Sequence, residues 1–468
     1  MTEHTHSSSP QTSPTAVSVP QLRATLKGQV IAPQDAGYDE ARTIFYGGFD
    51  RHPAAIVRVA NPTDVSHVVA LARESGLELA VRSGGHSLAG HGVSDGGIVL
   101  DLSDMKNLQI DVEGRTAWAE TGLTAGEYTA ATGAHGLTTG FGDTGSVGIG
   151  GLTLGGGVGY LVRKHGLTID DLISAEVVTA DGRLLSVDAE SHPDLFWAIR
   201  GGGGNFGVAT RFRFRLHEVD TIVGGMLVLP ATPGVIASFV AEAEAAPEEL
   251  SAIANIMVAP PMPFLPAEHH GQLVIMAMMV YAGKVEAGER TIAQFRALAT
   301  PLVDTVVPKP YPEMYEPMGP GPDEEVARSM FIDSVDDRAA ETIVEHLRAS
   351  SAQMAVAQLR ILGGAMARVP VEATAFAHRK RRIMVALGAV YEHREEAAVH
   401  EDWVSGFAAA LCQDDGGVYV NFVGEEGEAR VREAYPGSTW DRLAAIKGRY
   451  DPTNLFRLNQ NVPPATDG

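Results

Sequence analysis

The chain has 468 residues, with 36 Lys+Arg against 58 Asp+Glu and a formal charge of −22. A surface this acidic repels phosphate backbones and anionic bilayers, which excludes nucleic acid and membrane surfaces as expected partners. Hydrophobic residues at 45% and charged residues at 20% describe an ordered globular protein, long enough for two or three domains.

Residues 1–20 are rich in Ser, Thr, Pro and His and read as a tail. The N-terminus lacks the basic and apolar regions of a secretory signal, so the expected compartment is the cytoplasm. Asn61 and Pro62 open a helix whose apolar face is Val65, Val68, Val69 and Ala72, and Gly76 closes it. Leu77 to Arg82 reads as a strand running into Ser83-Gly84-Gly85-His86-Ser87. Further strands are expected at Ile98 to Leu102, Ala117 to Glu120, and on both sides of an Asp181-Gly182 turn, from Glu176 to Thr179 and Leu184 to Val187. Ser191 to Arg200 reads as a short helix.

The 52 glycines are about 11% of the chain, against about 7% typically. Ten of them fall between Gly140 and Gly159 and five between Gly201 and Gly207. Such density lets backbone approach a ligand closely, and exposed amides can cradle an anionic group. No glycine-rich segment ends in Gly-Lys-Ser/Thr, so a P-loop is excluded. Gly202-Gly203-Gly204-Asn205-Phe206-Gly207 spells GxGxxG but precedes a strand instead of following one, the reverse of a dinucleotide-binding turn.

From about Ile222 to Gly424 the glycine runs thin out and Ala, Met and Pro rise, which marks a second domain. Its longest apolar stretch, Leu273 to Ala282, is far short of the ~20 residues that span a bilayer. Met276, Met278 and Met279 are expected in its core. Cys412 is the only cysteine, excluding an intrachain disulfide or a multi-cysteine metal site, and no His/Asp/Glu cluster has ligand spacing. No metal is expected.

Taken in order, these segments resemble the vanillyl-alcohol-oxidase-type FAD proteins. Arg82-Ser-Gly-Gly-His86-Ser resembles the flavin-attachment motif. Gly145-Ser-Val-Gly-Ile-Gly-Gly151, Leu154-Gly-Gly-Gly-Val-Gly159 and Leu195 to Gly207 follow in the family's order. Tyr450-Asp-Pro-Thr-Asn-Leu-Phe-Arg-Leu-Asn-Gln-Asn461 is similar to the closing signature of the berberine-bridge-enzyme-like branch.

The resemblance implies an α+β fold. An FAD-binding domain of the PCMH type would span 21–221, and a substrate domain of antiparallel sheet backed by helices 222–424. A C-terminal segment, 425–468, would return to the FAD domain. It also implies FAD bonded through its 8α carbon to His86, with His91 nearby but non-covalent. Many relatives add a 6-S-cysteinyl link; here that position holds Thr144, so a single link is expected. The remaining cofactor contacts are expected from Arg82, Ser83, Gly84, Gly85, Ser87, Gly145, Gly148, Gly150, Gly151, Leu154, Gly155, Gly157 and Gly159. Val178 would lie beside the adenine, and Asn205, Gly207, Val208, Tyr450, Asn459 and Asn461 along the rest of the cofactor. Val147 falls where the family controls oxygen access.

Phe376-Ala-His-Arg379 resembles a family turn, but the strand after it, Ile383 to Val390, carries no acid or base. Tyr419 in Val418-Tyr-Val-Asn421 is the expected catalytic base, with Asn421 beside it; Tyr391, Glu392 and Tyr281 are weaker candidates. The expected activity is oxidation of a small alcohol, amine or natural product, with O2 as acceptor and H2O2 as product. A dehydrogenase, a flavin-adduct oxygenase, a sugar or oligosaccharide oxidase and a non-redox flavin-binding protein remain open, and the chain is expected as a monomer or homodimer.

Overall fold

The computed structural model describes residues 18–315, 319, 321–413 and 416–465. Residues 1–17 of the predicted tail lie outside these. Val19 and Pro20 do not belong to a tail, because they open the helix Val19–Thr25, with proline in the first turn where no amide partner is needed.

The first domain holds two sheets. Strands β1 (Gln29–Ile31), β2 (Ala55–Arg58), β3 (Leu79–Arg82) and β4 (Ile98–Asp101) pair in the order β1-β2-β4-β3, with β2, β4 and β3 parallel. Helix α1 (Pro62–Ser75) makes the crossover from β2 to β3. Asn61 caps it by accepting from the Thr63 and Asp64 amides, Val65, Val68, Val69 and Ala72 are its buried face, and Gly76 ends it in left-handed backbone. Strands β5 (Leu108–Asp111), β6 (Thr116–Glu120), β7 (Leu172–Val178), β8 (Leu184–Asp188) and β9 (Val208–Arg215) form an antiparallel sheet ordered β5-β6-β9-β7-β8. The two glycine-rich segments lie between these strands, the first including the short helix α2 (Ile149–Gly155).

The second domain is built on β10 (Thr221–Pro230), β11 (Leu250–Val258), β12 (Leu273–Tyr281), β13 (Glu324–Ile332), β14 (Met354–Ile361) and β15 (Ile383–Tyr391). These pair antiparallel in the order β10-β12-β11-β14-β15-β13, with two short strands on the outer side of β10. Helices α3 (Pro233–Ala245), α4 (Val285–Arg296), α5 (Asp337–Ala349) and α6 (Ala397–Leu411) cover one face, where Phe239, Phe295, Ile343 and Phe407 pack on the strands.

The opposite face turns toward the first domain. Along β12 the side chains alternate: Met279 is buried under the helices, whereas Met276 and Met278 are half-buried on the other face. All three therefore pack against hydrophobic clusters, but on different faces and to different depths, because period-two alternation sends neighbouring methionines to opposite sides.

Helix α7 (Ser438–Tyr450) carries the chain back to the first domain. Its Lys447, wholly buried, donates to the carbonyls of Asn205 and Phe456 and to Asp451, whose carboxylate in turn accepts from the Leu455 and Phe456 amides. A buried ammonium is costly unless every proton finds an acceptor, and all three do here. The arrangement clamps the C-terminal signature against the second glycine cluster. The domains are also joined by Arg379, fully buried, which grips Asp170 through two bonds of 2.7 and 2.8 Å. No helix among the described residues is long and apolar enough to cross a membrane.

Candidate active site

Strand β3 ends at Arg82, whose guanidinium is held by Asp101 at 2.7 Å and by the Ala41 carbonyl. Arg82 is thus part of the scaffold, and it anchors the loop that follows. Ser83 donates to the Thr121 carbonyl and accepts from the Gly150 amide, tying the two glycine-bearing loops together. Gly84 abuts Gly148, backbone against backbone.

This packing projects His86 outward from the loop, half-buried. Its imidazole stacks on Phe45, with ring centroids 3.9 Å apart and planes at 22°. Burial pushes its pKa down to about 4, opposed by a hydrogen bond that the ring donates to the Ser146 backbone carbonyl. The ring is therefore uncharged at neutral pH, with a nitrogen lone pair available for bonding. His91 is lowered to about 4 as well, by burial and then by Arg51.

The second loop is connected just as tightly. The Val147 amide donates to the Thr144 carbonyl, and the Val147 carbonyl accepts from Ala125. The Leu154 carbonyl accepts from both Gly201 and Gly203, joining this segment to the second glycine cluster. A side chain at Gly151 would meet no heavy atom within 4 Å, so this exposed glycine of α2 faces open space.

Asn205 is fully buried and spends its side chain on the protein. Its amide donates to the Gly202 and Gln460 carbonyls, and its oxygen accepts from Val462. Val178 and Val208 pair across β7 and β9 and belong to the core behind the loops. Tyr450 points away, its hydroxyl on Asp194 and near His192. The structure thus brings the loop that carries His86 against Gly148 and Gly150, places Asn459 on the Gly204 carbonyl of the second glycine cluster, and gives Arg82, Asn205 and Tyr450 partners of their own.

Tyr419 lies in a 3% exposed position among Val158, Phe331, Phe376 and Met384, at the junction of the domains. Its oxygen accepts from the Gly157 amide and the Asn421 side chain, both at 2.9 Å. Asn421 also donates to the Leu152 carbonyl, and its oxygen occupies the space a side chain at Gly155 would need. Burial raises the Tyr419 pKa while these donors and Arg360 oppose the rise. The pair locks α2 to the second domain, and its burial works against Tyr419 reaching a substrate.

Four residues near His86 escaped the sequence reading. Phe45 and Tyr46 sit on a strap whose backbone bonds to Gly85 on one side and to Gly321 and Pro322 on the other. That chain of contacts leads directly to Glu325, on the open face of β13 and with its pKa raised to about 7 by burial alone. Tyr46 lies within electrostatic reach of Glu325 and Asp143, and burial together with both carboxylates pushes its phenol upward. Asp143 pairs with Arg360 at 2.7 Å across the domain boundary. Two surface hollows of about 500 and 490 Å³ lie elsewhere and are lined by none of the loop residues around His86.

Two family models match the chain: an FAD binding domain over residues 53–188, and a berberine and berberine-like domain over 418–463. An FAD-linked oxidoreductase of Bacillus subtilis is 30% identical, over 94% of this chain and 97% of the relative. The chain belongs to the FAD-linked oxidoreductases of the berberine-bridge-enzyme-like family. The (R)-6-hydroxynicotine oxidase of Paenarthrobacter nicotinovorans is likewise 30% identical, over 94% and 97% of the two chains. The solved 6-hydroxy-D-nicotine oxidase of Arthrobacter nicotinovorans superposes with a TM-score of 0.83 at 28% identity, over 94% of this chain and 99% of that one. The two-domain α+β architecture is the one those proteins share.

The residues of this FAD-linked oxidoreductase fit the cofactor. Ser146 Oγ, Thr153 Oγ1, Asn459 Oδ1 and Asn461 Oδ1 are buried with no hydrogen-bond partner among the described residues. Each such group costs about 1–3 kcal/mol unless something bonds to it. Four of them around the glycine-rich loops and the C-terminal signature are what a bound polar dinucleotide would satisfy.

Proposed function

We propose that this FAD-linked oxidoreductase is an oxidase whose FAD is bonded covalently to His86 and reoxidised by O2, giving H2O2. The observation that carries the reading is the His86 imidazole itself, uncharged at neutral pH and held at the meeting point of the two glycine loops. The residues that would hold the cofactor are the loops 83–87 and 144–151, with Asn459 and Asn461. When bound, the flavin supplies the two-electron acceptor for a substrate carbon–hydrogen bond.

A second, cysteinyl link is not part of the proposal. Thr144 stands where such relatives carry cysteine, and Cys412 is exposed at the end of α6. Val147, half-buried beside Gly148, is proposed to leave O2 a route to the flavin. The substrate is proposed to be a small amine, alcohol or natural product, in keeping with relatives named for nicotine derivatives.

The test is to denature the purified protein in acid and read flavin fluorescence in pellet and supernatant, beside His86→Ala. Fluorescence in the pellet that vanishes in the variant supports the link. Release of all flavin into the supernatant removes the covalent claim, and absence of flavin from both fractions removes the oxidase reading. Peroxide formed with oxidisable amines and alcohols in air then tests the acceptor.

A further inference from the structure

The open face of the second-domain sheet is mostly apolar. Met276 and Met278 on β12, Val356 on β14, and Ala386 and Gly388 on β15 line it. Only two charged side chains on the six long strands share this face, Arg360 and Glu325, by the alternation of each strand and its register with the next. Arg360 is neutralised where it stands: it pairs with Asp143 at 2.7 Å and donates to Gln358, which donates onward to Asn255. Among the described residues Glu325 has no cation beside it.

The carboxylate lies beside Gly388 of β15. A Cβ at Gly388 would come within 3.5 Å of Glu325 Oε1, in ordinary contact, so the absent side chain leaves the carboxylate lying over bare backbone. Tyr46, on the strap that also carries Phe45 onto His86, lies within electrostatic reach of Glu325. The groups within electrostatic reach of Glu325 are Tyr46 and, behind the sheet, Tyr391, while Tyr46, Tyr311, Tyr315 and Tyr419 surround the Asp143–Arg360 pair. None supplies a free positive charge. The open face therefore carries one unmatched carboxylate on an apolar wall, linked through Tyr46 and Phe45 to the residue proposed to hold the flavin.

We propose that Glu325 is the substrate-anchoring carboxylate, and that the substrate is a cation with an apolar body, an amine bound as its ammonium. Anionic substrates are excluded, because the only cation on the wall is already paired. The same carboxylate is placed to take the ammonium proton: one N–H bond breaks, its electron pair stays on nitrogen, and the proton forms the Glu325 carboxyl O–H. The free amine is the form whose adjacent carbon–hydrogen bond can be oxidised. Burial that raises Glu325 to about 7 suits a group that must accept a proton near neutrality.

The inference rests on the oxidase reading for its chemistry, so the flavin content of each preparation is read first. Isothermal titration calorimetry with benzylamine and with benzoate then measures the charge preference without turnover. Wild-type protein at about pH 8 should favour benzylamine by about tenfold or more. Glu325→Gln, isosteric but uncharged, should abolish that preference, and wild-type protein at about pH 5.5 should show it reduced as Glu325 takes up its own proton. Equal binding of the two probes by wild type, no binding of either, or a preference that survives both Glu325→Gln and the lower pH overturns the assignment. The preference present in protein without flavin sinks the oxidase reading alone; flavin present without the preference sinks this inference alone.

Discussion

Gly84 and Gly148 meet with no side chain between them: a Cβ on Gly84 would lie 2.2 Å from the Gly148 amide nitrogen, and one on Gly148 2.3 Å from that of Gly84. Both loops around His86 depend on this contact, because neither backbone can retreat without losing the Ser83 bridge. Gly148→Ala should destabilise the fold by about 1–3 kcal/mol, as overpacking does, and lower the flavin content of the purified protein. Gly151→Leu is the counterpart. It adds a side chain where the protein has open space, so the thermal midpoint of flavin-free protein should hold while flavin incorporation falls. Equal flavin loading in Gly151→Leu and wild type would remove this space from the cofactor site.

Acid stability follows from histidines buried without charge. His86, His91 and His378 are pushed down to about 4 and His165 to about 3, each chiefly by burial. The unfolded chain takes up protons on these rings near 6.5 while the folded chain refuses them, so stability falls as pH drops from about 6.5 to about 4. Each ring is expected to contribute on the order of 3 kcal/mol at most to that loss. Urea midpoints measured across this range should decline in wild type, and decline less in His378→Gln. A flat profile in wild type would contradict the buried neutral state.

Much of the first domain was legible because its signals are local. Asn61, Pro62 and Gly76 bound a helix by cap chemistry alone, and strands ending in glycine motifs announce loops that must carry something. The middle of the site was not legible, because it is assembled by sheet register. Glu325 follows another glutamate, and nothing local distinguishes the two; only alternation along β13 sends Glu325 to the open face, over Gly388. A carboxylate in phase with Ala327 and Ser329 was the available signal. Asp143 was hidden in the same way, since its partner Arg360 lies 217 positions further along and meets it only across the domain boundary. At Tyr419 the local signal and the register meet: the Tyr-x-Asn spacing brings its two groups to bond each other and α2, with Arg360 of the open face within electrostatic reach.

The bond between Arg379 and Asp170 should be the strongest single tie between the domains. Arg379 is fully buried, and Thr374 accepts a further bond from it at 2.7 Å. Removing one partner leaves a buried charge unpaired, so Asp170→Asn should cost about 3–5 kcal/mol. Replacing both, as Asp170→Leu with Arg379→Met, should recover a large part of that loss. The double-mutant cycle, read from denaturant midpoints, checks it; simple additivity of the two single changes would show that the pair contributes no coupling.

Asp143 is expected to matter for charge balance more than for shape. Its carboxylate cancels Arg360, which is 6% exposed and stacked near the Phe422 ring at 5.1 Å. Asp143→Asn keeps the volume and removes the charge, leaving a desolvated guanidinium with only Gln358 as a neutral partner. The thermal midpoint should fall, since an uncompensated buried charge costs about 3–5 kcal/mol. The freed cation should also make the cleft receptive to anions, so that benzoate binding strengthens while benzylamine binding weakens. Arg360→Gln added to Asp143→Asn removes the orphaned charge and should restore both stability and the preference for the cation. If benzoate binds Asp143→Asn no better than wild type, Arg360 does not face the space where Glu325 is proposed to hold the substrate.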